Sequence, residues 1–150
     1  MKCLKLIFCL LYFCCSLAEA KEVQVDAQKE VDEMTGRLVA SYLEAKVDED
    51  IIAGYASALR SDGSFPDLDY VTVHEGSSYP AGSHLKRLKL MAIAYRKPGN
   101  KYYNSGRLLK QIVAGIDYWY RVRPKSGNWW FGDIGAPQDL SLIHISEPTR

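Results

Sequence analysis

This 150-residue chain has no cysteine after position 15, because all four (Cys3, Cys9, Cys14 and Cys15) lie near its start. The rest of the chain can therefore form neither a disulfide nor a thiolate metal site. It also lacks an H-E-x-x-H metal motif, a serine in a G-x-S-x-G frame and a glycine-rich phosphate loop. These absences argue against the common zinc peptidase, α/β-hydrolase and nucleotide-binding classes, and no metal or other cofactor is expected.

An excess of charge is missing as well. The formal net charge is +1, and removal of residues 1–20, with Lys2, Lys5 and Glu19, takes it to 0. A neutral chain has no overall attraction to nucleic acid, so no such partner is expected. A basic face remains on the third predicted helix: Lys86, Arg87, Lys89, Arg96 and Lys97. Such faces are mostly just solvated, but this one also suits an acidic polysaccharide.

Residues 1–20 read as a secretory signal peptide. A basic start precedes an apolar run from Leu6 to Leu17, and Ala18-Glu19-Ala20 fits the small-x-small cleavage pattern. The mature chain is then expected to begin at Lys21, to be secreted or periplasmic, and to have no membrane contact. A membrane anchor is the alternative, but the run is short for a bilayer span. Lipid attachment at Cys14 or Cys15 is disfavoured by the bulky residues before them.

The apolar spacing of the remaining residues predicts an all-α protein with four helices joined by loops. The predicted N-caps are Asp26 for the first helix, Ser83 for the third, and either Asn104 or Ser105 for the fourth. The acidic run Asp48-Glu49-Asp50 is predicted to open the second helix, with its acids at the positive end of the helix dipole. The predicted apolar stripes are Val31, Met34, Leu38, Val39 and Tyr42; Ile51, Ile52, Tyr55, Ala58 and Leu59; Leu85, Leu88, Met91, Ala92 and Tyr95; and Leu108, Leu109, Ile112, Ile116 and Trp119. Between the second and third helices, residues 61–83 are irregular, with an Asp62-Gly63 turn and a short extended piece at Tyr70–Val73.

Residues 126–137 hold three consecutive aromatics, Trp129, Trp130 and Phe131, between Gly127 and Gly132. Large aromatics among loop residues form a flat surface on which a sugar ring can stack. The neighbouring Asn128 and Asp133 have polar groups that can orient a ligand. The alternative is that one or both tryptophans fill the seam between two helices.

This segment resembles polysaccharide lyase family 8, which includes the chondroitin AC, hyaluronate and xanthan lyases. Asn128-Trp129-Trp130, an acidic residue, Ile134 and Pro137 are similar to its N-W-W-x-x-E-I-x-x-P segment. Asp133 stands where the family usually has Glu. Leu59–Phe65 resembles the family's L-x-x-D-G-S-W, and His84-Leu85 its H-L-x-x-L helix.

The resemblance implies an incomplete (α/α) toroid of helical hairpins, of which residues 21–140 are an N-terminal fragment. It also implies β-elimination on acidic, glycosaminoglycan-like polysaccharides such as chondroitin or hyaluronate. The family's catalytic Asn, His, Tyr and Arg follow this segment, so no catalytic residue is assigned here. Asn128, Trp129 and Trp130 are the substrate-binding residues that carry over, with Asn128 expected either to contact the polymer or to fix the loop.

Two other functions stay open, a non-catalytic carbohydrate-binding helical module and an α-toroid glycoside hydrolase. A hydrolase needs two carboxylates facing across a sugar, and Asp62 and Asp133 are the best pair by position. Asp62 is more simply explained by its Asp-Gly turn. Of the histidines, His74 and His84 match no motif, and His84 is predicted to pack at a helix start.

The C-terminal residues do not continue the pattern before them. A fifth helix is predicted to open at Ala136-Pro137, with proline in its first turn. From Ser141 the residues become β-branched and alternating, and then meet Pro148, which conflicts with a helix. Residues 141–150 also resemble a translated sequencing adapter and are interpreted as a non-native tail. A genuine C-terminal tail is the alternative.

Overall fold

The computed structural model describes residues 27–74, 76 and 79–145, and every regular element within these ranges is helical. The predicted all-α class is confirmed. The predicted signal peptide, Asp26 and residues 146–150 lie outside the described ranges. None of the described helices is long and apolar enough to cross a membrane.

The helices are α1 (residues 27–44), α2 (Glu49–Ala58), α3 (Gly82–Arg96), α4 (Gly106–Val122), a π-helical segment (Phe131–Gly135) and α5 (Ala136–Ile145). The chain divides into two compact units, one ending at Leu38 and the other beginning at Val39. In the first unit, the apolar side chains of Val31, Met34 and Leu38 are exposed. The core, the site and the cavities described below belong to the second unit.

Helix α3 lies at the centre of the second unit and packs against α2, α4 and α5. The stripes predicted for α3 and α4 are confirmed as core, apart from Leu109, which is partly buried against it. Residues 97–105 join these two helices, so α3 and α4 form a helical hairpin. Burial of these apolar faces, rather than intrinsic propensity, supplies most of the stability of helices this short.

Two of the predicted helix starts are confirmed by their hydrogen bonds. Asp48 Oδ1 accepts from the backbone N–H groups of Asp50 and Ile51, each at 3.1 Å, and begins α2. Ser105, rather than Asn104, caps α4, because its hydroxyl accepts from Leu108 N at 3.3 Å. The cap predicted at Ser83 is wrong, since α3 begins at Gly82 with no side-chain cap. A backbone turn at Tyr79–Ala81 leads into the helix instead.

The irregular segment before α3 is held by two aspartate turns. Asp62 Oδ1 accepts from the backbone N–H of Ser64 at 2.9 Å and from its hydroxyl at 2.7 Å, as expected of the predicted turn. At Tyr70–Val73 the structure has bends rather than the predicted extended piece. There Asp69 Oδ1 accepts from the N–H groups of Val71 and Thr72 at 2.9 and 3.1 Å, which closes the backbone into a turn.

Helix α5 begins at Ala136, as predicted, but continues through Ser141 to Ile145. The break predicted after Leu140 is therefore absent from the described residues. Leu142 and Ile143 are buried, and Ile143 belongs to the main core, so packing outweighs the weaker helix propensity of the β-branched Ile143. This geometry does not bear on the origin of residues 141–150, whose interpretation as a non-native tail stays a prediction.

Candidate functional site

The glycines around the aromatic segment suggested a loop. In the structure the segment instead begins a helical stretch. Residues 127–128 bend, and Trp129 and Trp130 form the helical turn that runs into the π-helical segment. Asn128 Oδ1 accepts from Trp130 N at 3.0 Å, and its own N–H donates to Ser126 Oγ at 3.1 Å. Asn128 thus acts as a helix N-cap, a role for which asparagine is among the best residues.

The residues leading into this turn are tied to the segment that precedes α3. The Gly127 N–H donates to the His74 carbonyl, and Asn128 Nδ2 donates to the Gly76 carbonyl, each at 3.1 Å. The Tyr79 hydroxyl donates to the Pro124 carbonyl at 3.2 Å. The side chain of Asn128 therefore fixes the backbone from which both tryptophans project. Its contact with substrate stays a prediction.

Both tryptophans are exposed to solvent. Trp129 is 66% exposed and Trp130 is 43% exposed, whereas Trp119 of α4 is 6% exposed. Trp119 belongs to the main core, whereas neither Trp129 nor Trp130 is buried. Each exposed indole on this fixed backbone therefore presents a ring face suited to stacking on a sugar.

A row of aromatic rings connects this surface to the core. Tyr79 meets Trp119 edge-on at 6.4 Å between ring centroids and lies 5.4 Å from Phe131. Phe131 in turn meets Trp130 edge-on at 5.3 Å. Burial raises the pKa of Tyr79, so its hydroxyl stays protonated and keeps its bond to Pro124. Contacts of this geometry are stabilising and hold Trp130 in one orientation.

Trp130 forms one wall of a cavity of about 250 Å³ between α3, the π-helical segment and α5, called here the Trp130 cavity. Its lining consists of Tyr79, Gly82, Leu85, Lys86, Lys89, Trp130, Phe131, Gly135, Ala136, Gln138 and Asp139. Two glycines let the rings lie against the backbone. A Cβ at Gly135 would lie 3.0 Å from the Trp130 ring, and one at Gly82 would lie 2.7 Å from the Tyr79 ring. The cavity thus has aromatic walls and a polar side.

The basic face predicted on α3 is largely used in intramolecular contacts. Arg87 donates to both carboxylate oxygens of Asp67, at 2.8 and 2.5 Å, which lowers the pKa of that carboxyl. The Lys89 ammonium forms an ion pair with Asp139. Lys97 donates to the Ala45 carbonyl at 2.7 Å. The face is therefore not a uniform anion-binding surface, and its members have to be considered one by one.

His84 is fully buried and hydrogen-bonded at both ring nitrogens. Nε2–H donates to the Gly115 carbonyl at 2.9 Å, and Nδ1 lies 2.9 Å from the Tyr70 hydroxyl. Because a carbonyl can only accept, Nε2 carries the proton, and Nδ1 accepts from Tyr70. Burial lowers the pKa of His84 to about 4. The prediction that His84 is a packing residue is confirmed.

The carboxylates considered for a hydrolase have structural roles or lie exposed. Hydrogen bonds from Ser64 lower the pKa of Asp62, which caps its own turn. Asp133 is exposed on the π-helical segment. Across the described ranges, no group of three or more His, Asp or Glu side chains is arranged to hold a metal ion.

The π-helical segment, the Trp130 cavity and the ties to His74 and Gly76 could not be foreseen from the sequence. A π-helical segment inside a helical stretch is frequent at functional sites. The ties join residues about fifty positions apart, for which the sequence carries no signal.

Residues 26–146 match the family model of the N-terminal α-helical domain of polysaccharide lyase family 8. Over 89 residues the chain is 34% identical to chondroitinase-AC of Pedobacter heparinus, which covers 59% of this chain and 13% of that protein. Over 91 residues it is 29% identical to the hyaluronate lyase HylB of Enterococcus faecalis, covering 55% of this chain and 9% of that protein.

A solved chondroitinase AC lyase, determined as enzyme–oligosaccharide complexes, has a similar structure. It superposes with a TM-score of 0.67 at 27% identity, and the match covers 76% of this chain and 17% of that one. The chain thus spans at most 17% of the length of each of these three relatives.

Proposed function

Because the chain belongs to polysaccharide lyase family 8, we propose that it is the N-terminal helical part of a secreted lyase acting on uronic-acid-containing polysaccharides. In this proposal residues 1–20 direct export, and the helical hairpins begin an (α/α) toroid. The relatives are named chondroitinase and hyaluronate lyase, which supports an acidic, glycosaminoglycan-like substrate. The observation that carries a substrate-binding role for this part is the exposure of Trp129 and Trp130 on a fixed backbone.

The proposed reaction is β-elimination. A base removes the proton next to the uronate carboxylate, an acid protonates the leaving glycosidic oxygen, and an unsaturated uronate remains. The groups for these steps, together with an amide that neutralises the carboxylate, are assigned to residues that follow this chain in the complete protein. His84 is unsuited to such a role, because its ring nitrogens are both engaged in the core. This part then contributes binding, with its aromatic surface stacking on sugar rings.

The proposal is tested by comparing the complete gene product with the 150-residue chain. We expect the complete protein to release products from chondroitin or hyaluronan that absorb in the ultraviolet, because elimination creates a conjugated double bond. The 150-residue chain is expected to show no turnover, and secreted material is expected to begin at Lys21 by N-terminal sequencing. Products without ultraviolet absorbance would indicate a hydrolase, and binding without any products would indicate a carbohydrate-binding module.

The tryptophans can be tested separately in the complete protein. We expect Trp129→Ala and Trp130→Ala each to weaken polymer binding by roughly tenfold, equivalent to about 1.4 kcal/mol, through lost stacking. Because Trp129 is largely exposed, its variant should melt close to the unaltered protein, whereas Trp130→Ala also loses the ring contact with Phe131 and should melt somewhat lower. Tyr120→Ala is the matched control, since Tyr120 is a similarly exposed aromatic (47%) on α4. If both tryptophan variants bind the polymer as tightly as the control, this surface is not the substrate platform.

A further inference from the structure

The Trp130 cavity combines an aromatic wall with an unbalanced positive charge. Within the described part of the chain, the lining residues Lys89 and Asp139 neutralise each other as an ion pair. Lys86 is the remaining charged residue of the lining, and its side chain is exposed. The charged side chains of the lining therefore sum to one net positive charge, in a cavity that Trp130 also lines.

We propose that the Trp130 cavity binds one uronate unit of the polymer, with its ring against Trp130 and its carboxylate at Lys86. This inference rests on the proposed function and adds to it a specific anion-recognising residue. It gives Lys86 a role in selecting acidic over neutral sugars, and no part in the proton transfers.

The size and walls of the cavity fit a single sugar unit. Its volume of about 250 Å³ lies just below the range of roughly 300–1,000 Å³ typical of pockets for larger ligands. Tyr79, Phe131 and Trp130 provide the apolar surface, and their mutual ring contacts fix it in advance. A fixed apolar wall with a few convergent polar groups is the usual composition of a small-ligand site.

The charges around the cavity favour a carboxylate over a neutral group. An ammonium on the rim, next to a wall that excludes water from one side, attracts an anion more strongly than a fully solvated lysine does. The Lys89–Asp139 pair holds its own carboxylate in place, so Asp139 does not neutralise Lys86. The amide of Gln138, on α5, adds a polar group to the lining that can bond to a sugar hydroxyl.

The other basic residues of α3 are placed less suitably. Arg87 is held by Asp67, and its guanidinium lies over the Phe65 ring at 4.8 Å. Arg96 and Lys97 are at the opposite end of the helix, ten or more residues from Lys86, or about 15 Å along the axis. The structure therefore singles out Lys86 from the basic face of α3.

The test uses titration calorimetry, at a temperature low enough that no ultraviolet-absorbing product forms during the titration. It measures the affinity of the complete gene product for an unsulfated chondroitin oligosaccharide and for its carboxyl-reduced, neutral counterpart. We expect Lys86→Gln to weaken binding of the acidic oligosaccharide by roughly fivefold, the upper end for a solvent-accessible ion pair. Binding of the neutral oligosaccharide should be unchanged, and Lys86→Arg should retain most of the affinity for the acidic one. A sulfated chondroitin oligosaccharide should show the same dependence on Lys86, because the carboxylate is the group recognised.

Lys46→Gln is the matched control, because it also removes one exposed lysine. Lys46 lies in the loop between α1 and α2 and follows Ala45, whose carbonyl Lys97 contacts just beyond the C-terminal end of α3. Equal losses in the Lys86 and Lys46 variants would indicate general charge attraction and overturn the inference. The inference would also be overturned if Lys86→Gln bound with unchanged affinity while Trp130→Ala bound more weakly. That outcome would leave the proposed function standing. If the unaltered protein binds neither oligosaccharide, the proposed function itself fails.

Discussion

Replacing Gly63 with alanine is expected to lower the free energy of unfolding by roughly 3–5 kcal/mol, through backbone strain and overpacking together. Gly63 has φ of +88°, a left-handed conformation that other residues rarely adopt. A Cβ built on it would lie 2.0 Å from the carbonyl oxygen of Ala114, within the middle of α4. Backbone cannot move aside as a side chain can, so α4 and the Asp62 turn would have to separate. Urea unfolding monitored by circular dichroism measures the change.

Gly99→Ala separates the two causes of this loss. Gly99 has nearly the same φ, +85°, but a Cβ there would meet no atom within 4 Å. This variant should therefore lose only the conformational part, about 1–2 kcal/mol. Equal losses in the two variants would contradict the close approach of Gly63 to α4.

Acidification from about pH 6.5 to pH 4 is expected to reduce the stability of the fold by roughly 3 kcal/mol through His84 alone. The pKa of His84 is lowered by burial from 6.5 to about 4 in the folded protein. Above pH 6.5 the ring is neutral in both states, and its contribution is complete. Between pH 6.5 and pH 4 the unfolded chain binds a proton at this histidine and the folded chain does not. The free energy of unfolding therefore decreases as the pH is lowered through this range. Below about pH 4 both states bind the proton, and the His84 contribution levels off.

The pH range of the His84 effect, from 6.5 to 4, differs from the range in which the aspartates of the fold titrate. Hydrogen bonds hold the pKa of Asp69 at about 2 and keep those of Asp62 and Asp67 below the usual 3.8. Their stabilising effect is therefore lost mainly at pH values below this window. His84→Gln, which cannot titrate, should flatten the slope of unfolding free energy against pH in this range, whatever its absolute stability. A wild-type protein equally stable at pH 7 and pH 4.5 would contradict the buried neutral ring.

The helices of the second unit could be predicted where local signals agree. The apolar stripes of α3 and α4 and the caps Asp48 and Ser105 depend on residues within one or two turns of each other. The cap predicted at Ser83 was wrong because the carbonyl groups of Tyr79–Ala81 accept from the first backbone N–H groups of α3, so no side-chain cap is needed. The extended piece predicted at Tyr70–Val73 was wrong because Asp69 accepts from two backbone N–H groups of this segment. The resulting turn outweighs the strand propensity of the β-branched residues.

The candidate site could be predicted only in part from the sequence. Composition drew attention to Trp129 and Trp130, and a nearby asparagine suggested a fixed turn. Their exposure depends on Tyr79 and Trp119 filling the core beside them, which involves contacts between residues 40 apart. The Lys89–Asp139 pair spans 50 positions, and without it Lys86 cannot be distinguished from its neighbours on α3.

The division of the tryptophans between core and surface has a spectroscopic consequence. The chain has three, and Trp119 lies in an apolar, rigid environment while Trp129 and Trp130 face solvent. Indole emission shifts to the red as its surroundings become more polar, so the spectrum is the sum of a blue component from α4 and a red component from the aromatic surface. An added quencher reaches the red component first. Intrinsic fluorescence can thus distinguish a ligand covering the surface from a loss of the core, without any attached label.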